Sequence, residues 1–90
     1  MRRAVITVIG KDMVGILARV ANECAGANIN VLEVTQSILQ DMFAMIMMVD
    51  ISNSKIPFTA FSDRLTAIGG EMGLVIHAMH EDIFKSMHTI

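Results

Sequence analysis

The sequence has no Trp or Tyr, one Cys, one Pro and few charges, and each scarcity removes a class of function. A lone Cys24 cannot build an internal disulfide framework and points to a reducing, cytoplasmic compartment. With one Pro, at 57, and no low-complexity or Pro/Gly-rich linker, nothing divides the 90 residues. They read as one domain, 1–90, with a core over 3–80 and a tail over 81–90. The longest apolar run, Met42 to Val49, is eight residues, against the ~20 that a membrane-spanning helix needs. Arg2 and Arg3 lead into a mixed strand-like stretch with neither a long apolar core nor a cleavage pattern, so secretion is not expected. Seven basic residues against nine acidic ones leave a net charge of −2. A protein that neutralises nucleic-acid phosphates is normally basic. Neither a membrane nor a nucleic acid is an expected partner.

What the sequence does have is apolar material: 53 % hydrophobic residues, nine of them Met, against 18 % charged. One small core does not need that much, so some of it is expected to be buried against a second subunit. Ala4 to Ile9 is β-branched and apolar on both faces, the mark of a strand in mid-sheet. Gly10 to Gly15 breaks it. Ile16, Leu17, Val20, Ala21 and Cys24 then fall at helical spacing, and Gly26 is expected to end that helix as a left-handed C′ glycine. A second strand is expected from near Ile29. Ile29 and Val31 share one alternation phase while Val34 and Ile38 take the other, which a β-bulge around Leu32–Glu33 reconciles. Glu33, Thr35, Gln36 and Ser37 make this strand polar enough for a sheet edge. Leu39-Gln40-Asp41 connects it to the apolar strand Met42–Ile51. Pro57 suits the first turn of a second helix, with Phe58, Phe61, Leu65, Ile68 and Met72 on one face and Gly69-Gly70 weakening its end. A last strand, Leu74–Met79, precedes a tail whose Ile83, Phe84 and Met87 are spaced as a short helix.

This order, βαββαβ, predicts an α+β ferredoxin-like sandwich: an antiparallel four-stranded sheet with two helices on one face and a short C-terminal helix. The two strands that are apolar on both faces belong in its centre. Met42, Ala44, Ile46 and Met48 alternate with Phe43, Met45, Met47 and Val49, so the face away from the helices needs cover from the tail or from another subunit.

Little in the sequence suggests catalysis. A metal chaperone of this shape needs a Cys pair after its first strand, where this chain has Lys11, Asp12 and Met13. His77, His80 and His88 have no matching Cys and no tight spacing, and the methionines read as core filler. Base stacking in the RNA-recognition manner needs sheet aromatics, and only Phe43 lies on an expected strand. An acylphosphatase-like site wants an Arg in the first loop, and the nearest basic residue is Lys11. Cys24 has no His at a diagnostic spacing. Glu81-Asp82 reads as negative charge opening the terminal helix. No enzyme, no metal and no cofactor are expected.

Three short motifs point further. Gly10-Lys11-Asp12-Met13-Val14-Gly15-Ile16 resembles the G-x-D-x-x-G-I turn of ACT domains, the small amino-acid-sensing modules of metabolic enzymes and regulators. Ala25-Gly26-Ala27-Asn28-Ile29 resembles the family's G-x-N-I approach to its second strand, and Leu39 to Met45 resembles the hairpin of a free-standing branch that includes the glycine-cleavage regulators. The chain departs from many relatives in having Met13-Val14 where a polar-Pro pair is common, and Gly10 where some carry a polar contact residue. The resemblance implies a regulatory domain that binds a small-molecule effector, an amino acid, as a homodimer or larger homo-oligomer, and acts on a regulated protein partner. In serine-binding members the residues matching Asp12 and Asn28 contact the effector from two different subunits.

Elementary chemistry agrees with that loop as a site. A helix starting just after a strand presents unpaired N–H groups and partial positive charge, which suit a carboxylate. Asp12 can accept hydrogen bonds from an ammonium group, and Asn28 both donates and accepts. The expected ligand-binding set is Asp12, Met13, Val14, Gly15 and Ile16 from one chain with Asn28, Ile29 and Asn30 from another. The plainer reading is that Asp12 is the helix N-cap, Gly15 a packing glycine and Asn28 a turn residue. The alternative function is an assembly module that binds no small molecule and docks a protein on its apolar sheet face.

Overall fold

Alternation along the strands sorts the side chains into two faces before any helix is considered. The computed structural model describes residues 1–11 and 15–87. Along them run β1 (Arg3–Gly10), α1 (Ile16–Gly26), β2 (Asn30–Leu39), β3 (Met42–Asp50), α2 (Phe58–Met72), β4 (Val75–His80) and α3 (Glu81–Met87). The sheet order is β2-β3-β1-β4, with every neighbouring pair antiparallel. This is the expected ferredoxin-like arrangement, with the doubly apolar β1 and β3 in the centre and the polar β2 at an edge.

On one face Ala4, Ile6 and Val8 of β1 and Met45, Met47 and Val49 of β3 meet Ile16, Val20 and Cys24 of α1 and Phe61, Leu65 and Ile68 of α2. The helices present those residues at 3- and 4-residue spacing, one stripe each. Arg19–Glu71 at 3.0 Å and Arg64–Glu23 at 2.9 Å tie α1 to α2 along their outer sides. Both pairs are exposed enough that each is worth at most about 1 kcal/mol. The phase switch in β2 is the bulge that the sequence called for. The register with β3 slips between Val31 and Glu33, which returns Val34 to the face of Ile29 and packs it against the core.

Several boundaries differ from expectation. Gly26 does not end α1 as a left-handed residue; it belongs to the helix, Ala27 is the C-cap, and the left-handed conformation falls on Asn28 at φ 60°. Asn tolerates that region better than other side-chain-bearing residues. β2 accordingly begins at Asn30, after Ile29 has turned into the core. Gly69-Gly70 does not weaken α2, which continues to Met72. A Cβ at Gly69 would stand 2.9 Å from the Leu74 carbonyl oxygen, so glycine there is what lets α2 lie on β4. β4 itself starts one residue late, at Val75.

The other face is only partly covered. Val5 has no exposed surface although it points away from α1 and α2. Its cover is α3, which packs on β1 and β4. Arg3, on the same face, donates from Nη2 to Oε1 of Glu81 at 3.0 Å and sets Nε against Oε2, while Lys85 Nζ lies 3.1 Å from Oε1. Burial raises the Glu81 pKa, but the hydrogen bonds from Lys85 and Arg3 outweigh it and hold the carboxyl below its usual range. The expectation that the tail would cover this face holds at the Val5 end alone. Ile9, Met42, Ile46 and Val75 remain exposed beyond it, each by more than a third.

Candidate functional site

The sheet has two ends, and the expected site residues are divided between them. At one end β1 runs out through Gly10, where a Cβ would collide with the Leu74 side chain. Gly10 is thus a packing position, which accounts for the lack of a polar side chain there. Lys11 is exposed, its Nζ 3.8 Å from Asp41 Oδ2 on the β2–β3 turn. Asp12, Met13 and Val14, expected to hold the effector, lie outside the described residues.

Gly15 is the N-cap of α1 at φ 77°, a left-handed conformation that disfavours any side chain with a Cβ. Nothing lies within 4 Å of where its Cβ would be, so it is glycine for its backbone rather than for packing. The N-cap position is therefore not Asp12. Among the described residues no side chain caps α1, and no acid stands in its first turn. Its hydrogen-bond ladder opens with Arg19 N–H donating to Gly15 O at 3.0 Å. Ile16, Leu17 and Ala18 therefore offer N–H groups with no acceptor inside the helix. The Ile16 side chain is buried in the core, which leaves only its N–H for a ligand.

Asn28, Ile29 and Asn30 stand at the opposite end. Asn28 is exposed, and its Nδ2 donates to the Asn53 carbonyl at 3.0 Å. Lys55 N–H donates to Ala27 O at 2.8 Å, a second tie between this turn and the β3–α2 loop. Ile29 is a core residue, and Asn30 is exposed opposite Asp50. The eleven residues of α1 separate Asn28 from Gly15, about 16 Å at 1.5 Å per residue. Within one chain the described members of the expected set, Gly15 and Ile16 on one side and Asn28, Ile29 and Asn30 on the other, stand at opposite ends of α1.

Beside Asn28 the structure holds a feature that sequence reasoning missed, a cavity of about 310 Å³. Ile29, Ile51 and Phe61 are its buried floor and Ile56 and Phe58 its half-buried walls, with Arg2, Ser52, Ser54 and Pro57 around them. Each of these was legible as core, turn or helix start, but their convergence depends on how four separate segments cross.

Burial, then the neighbouring Glu23 charge, pushes the Cys24 thiol up to about 11, so it stays protonated and inert near neutral pH. His77 is exposed on β4, and His80 stacks on the Phe58 ring at 4.4 Å between centroids. His88 lies outside the described residues. No three metal-ligating side chains cluster among the described residues, and no helix among them is long and apolar enough to cross a membrane.

Residues 2–79 match the model of the ACT domain family. The chain belongs to that family. It is 46 % identical over 90 residues, the full length of both chains, to a UPF0237 protein of Methanocaldococcus jannaschii. Among solved structures it is similar to an ACT domain protein from Streptococcus pneumoniae, at TM-score 0.79 and 30 % identity, covering 99 % of this chain and 97 % of that one. A putative glycine cleavage system transcriptional repressor shares the fold at TM-score 0.70 and 22 % identity, over 88 % of this chain and 45 % of its own. An ACT domain is a regulatory module rather than a catalytic one.

Proposed function

We propose that this ACT domain is a cytoplasmic amino-acid sensor that works as a homodimer or larger homo-oligomer on a regulated protein partner. The effector sits between two copies, with Asp12, Met13, Val14, Gly15 and Ile16 of one facing Asn28, Ile29 and Asn30 of the other. The observation that carries this reading is that α1 separates Gly15 and Ile16 from Asn28, Ile29 and Asn30. A second copy laid antiparallel beside the first would bring the start of α1, with its left-handed Gly15, up to an Asn28. The free N–H groups at the start of α1 take the effector's carboxylate, Asp12 takes its ammonium group, and Asn28 closes the site with its carbonyl oxygen while Nδ2 stays on Asn53. Ile16 contributes its N–H, and Ile29 the buried backing of the Asn28 turn.

Titration calorimetry with the common amino acids tests this. The wild type is expected to bind one of them, and Gly15→Val to lose binding. Asp12→Ala is expected to weaken binding by about 1.5–3 kcal/mol, the range for a hydrogen bond to a charged group. Equal binding by all three proteins would move the site elsewhere.

A second reading is supported by the uncovered sheet face of Ile9, Met42, Ile46 and Val75. It makes the chain an assembly module that docks a protein partner there. A thermal-shift screen separates the two. An amino acid at 100 times its dissociation constant adds about 2.7 kcal/mol of stability, and a flat screen favours the assembly module.

A further inference from the structure

The sheet face turned away from α1 and α2 is covered by α3 at one end only. Its side chains stand in rows across the strands. The row of Val5, Met48 and Met79 lies at the α3 end, where Val5 is fully buried. Thr7, Ile46 and His77 make the middle row, and Ile9, Ala44 and Val75 the outer one. Here Ile46 is 40 %, Ile9 45 % and Val75 53 % exposed. A matching apolar surface is left over on α3 itself. Its inner side holds the half-buried Glu81 and Phe84, while Ile83 and Met87, one turn apart on the outer side, are 52 % and 67 % exposed.

We propose that this face binds a second copy of the chain, related by a two-fold axis that runs across the strands along the middle row. It rests on the reading of the face as a docking surface, and it holds with or without an effector. Such an axis exchanges the two ends of the face. The α3 of each copy then lies on the partner's outer row, and its Ile83 and Met87 meet Ile9 and Val75. The dimensions agree. Val5 and Ile9 are about 14 Å apart along β1, room for two helices of about 10–12 Å diameter side by side. The two open rows and the outer side of α3 offer on the order of 600 Å² per copy, about 1,200 Å² in all, where specific interfaces begin. The charge pattern selects a copy over a different protein. A two-fold axis sets each group near it against itself, so a charge there repels its own copy. The middle and outer rows, with Thr35 and Ser37 of β2, carry no Asp, Glu, Lys or Arg.

Light scattering on the full chain at micromolar concentration tests this, with circular dichroism to check folding. It compares the wild type, Ile9→Lys, Ile83→Asp and an equimolar mixture of the two variants. Both positions are exposed, so both variants are expected to fold. Each change sets an unpaired charge into the interface twice, and each variant alone should show half the wild-type mass. That is monomer from dimer, or dimer from tetramer where the effector interface also forms. The mixture should regain the wild-type mass. In a mixed pair the introduced lysine meets the introduced aspartate at one contact, and the other contact is the native Ile9 with Ile83. A mass that neither change lowers would overturn the proposal, and so would masses that fall without recovery on mixing. The docking-surface reading fails on a different readout, the thermal-shift screen.

Discussion

The two ends of the sheet are held by different means. At the Asn28 end the chain is fastened by side chains: Asn28 to Asn53, Arg2 N–H to Ser52, Ser52 N–H to Asp50, and the Ser54 hydroxyl to Ile56. At the Gly15 end the described residues rely on backbone conformation and fit: Gly15 at φ 77°, Gln40 at φ 56°, Gly73 at φ 72°, and Leu74 seated where Gly10 has no Cβ. The ion pair there, Lys11–Asp41, is long and exposed at both partners, so it contributes little. A left-handed glycine at a helix start brings no side chain of its own to cap the first N–H groups. A turn built from side-chain hydrogen bonds instead fixes a surface. Each end therefore suits a different part of the site proposed between two copies, one supplying donors and the other supplying shape.

The largest expected effect lies under the side-chain-held end. Phe61 is fully buried, and Phe61→Ala should lower unfolding stability by about 3–5 kcal/mol, read by denaturant titration. At the glycine end Gly10→Ala drives a methyl into Leu74 and should cost about 1–3 kcal/mol. Adding Leu74→Ala should cost less than the two single changes summed, a coupling that a double-mutant cycle measures.

A pH effect of similar size follows from Cys24. Its folded pKa, about 11, stands above its ordinary value of 9.0, so the protonated thiol favours the folded state. That contribution is complete below pH 9 and is lost as pH rises through about 11, on the order of 2 kcal/mol. The wild type should therefore lose stability faster than Cys24→Ala across this window. The smallest contrast compares the two left-handed residues. Gly15→Ala should cost about 1–2 kcal/mol through its φ alone. Asn28→Gly keeps the φ and should cost only about 0.5–1.5 kcal/mol, for the hydrogen bond to Asn53. If the ordering is reversed, the two ends are not held as described.

Much of the fold was legible because the signals are local and periodic. The phase change between Val31 and Val34 located the bulge, and the 3–4 spacing of Phe58, Phe61, Leu65, Ile68 and Met72 marked the buried face of α2. The errors arose where two neighbouring residues could each do the same job. Gly26 and Asn28 both suit a left-handed turn, and the hydrogen bond from Asn28 to Asn53, 25 residues away, favours the latter. Gly69 reads as a helix breaker until the backbone of β4 is seen lying against it. At the candidate site the strand–turn–helix pattern placed Gly15 and Ile16 at the start of α1, but it gave the N-cap to Asp12 where the structure has Gly15. The cavity was not, because Arg2, Ile29, Ile51 and Phe61 meet only after the sheet has formed.

The claim that the effector bridges two copies is tested most directly by subunit complementation. Asp12→Lys puts a like charge against the effector's ammonium group, and Asn28→Gly removes the closing side chain. In a dimer of either variant alone both sites are spoiled. In a mixed dimer related by a two-fold axis one site has both changes and the other has neither, so random mixing should restore about a quarter of the wild-type sites. Calorimetry on the separate variants and on their equimolar mixture reads this number. Recovery on mixing is the predicted result. A mixture that binds no more than its two components would contradict a site shared between copies.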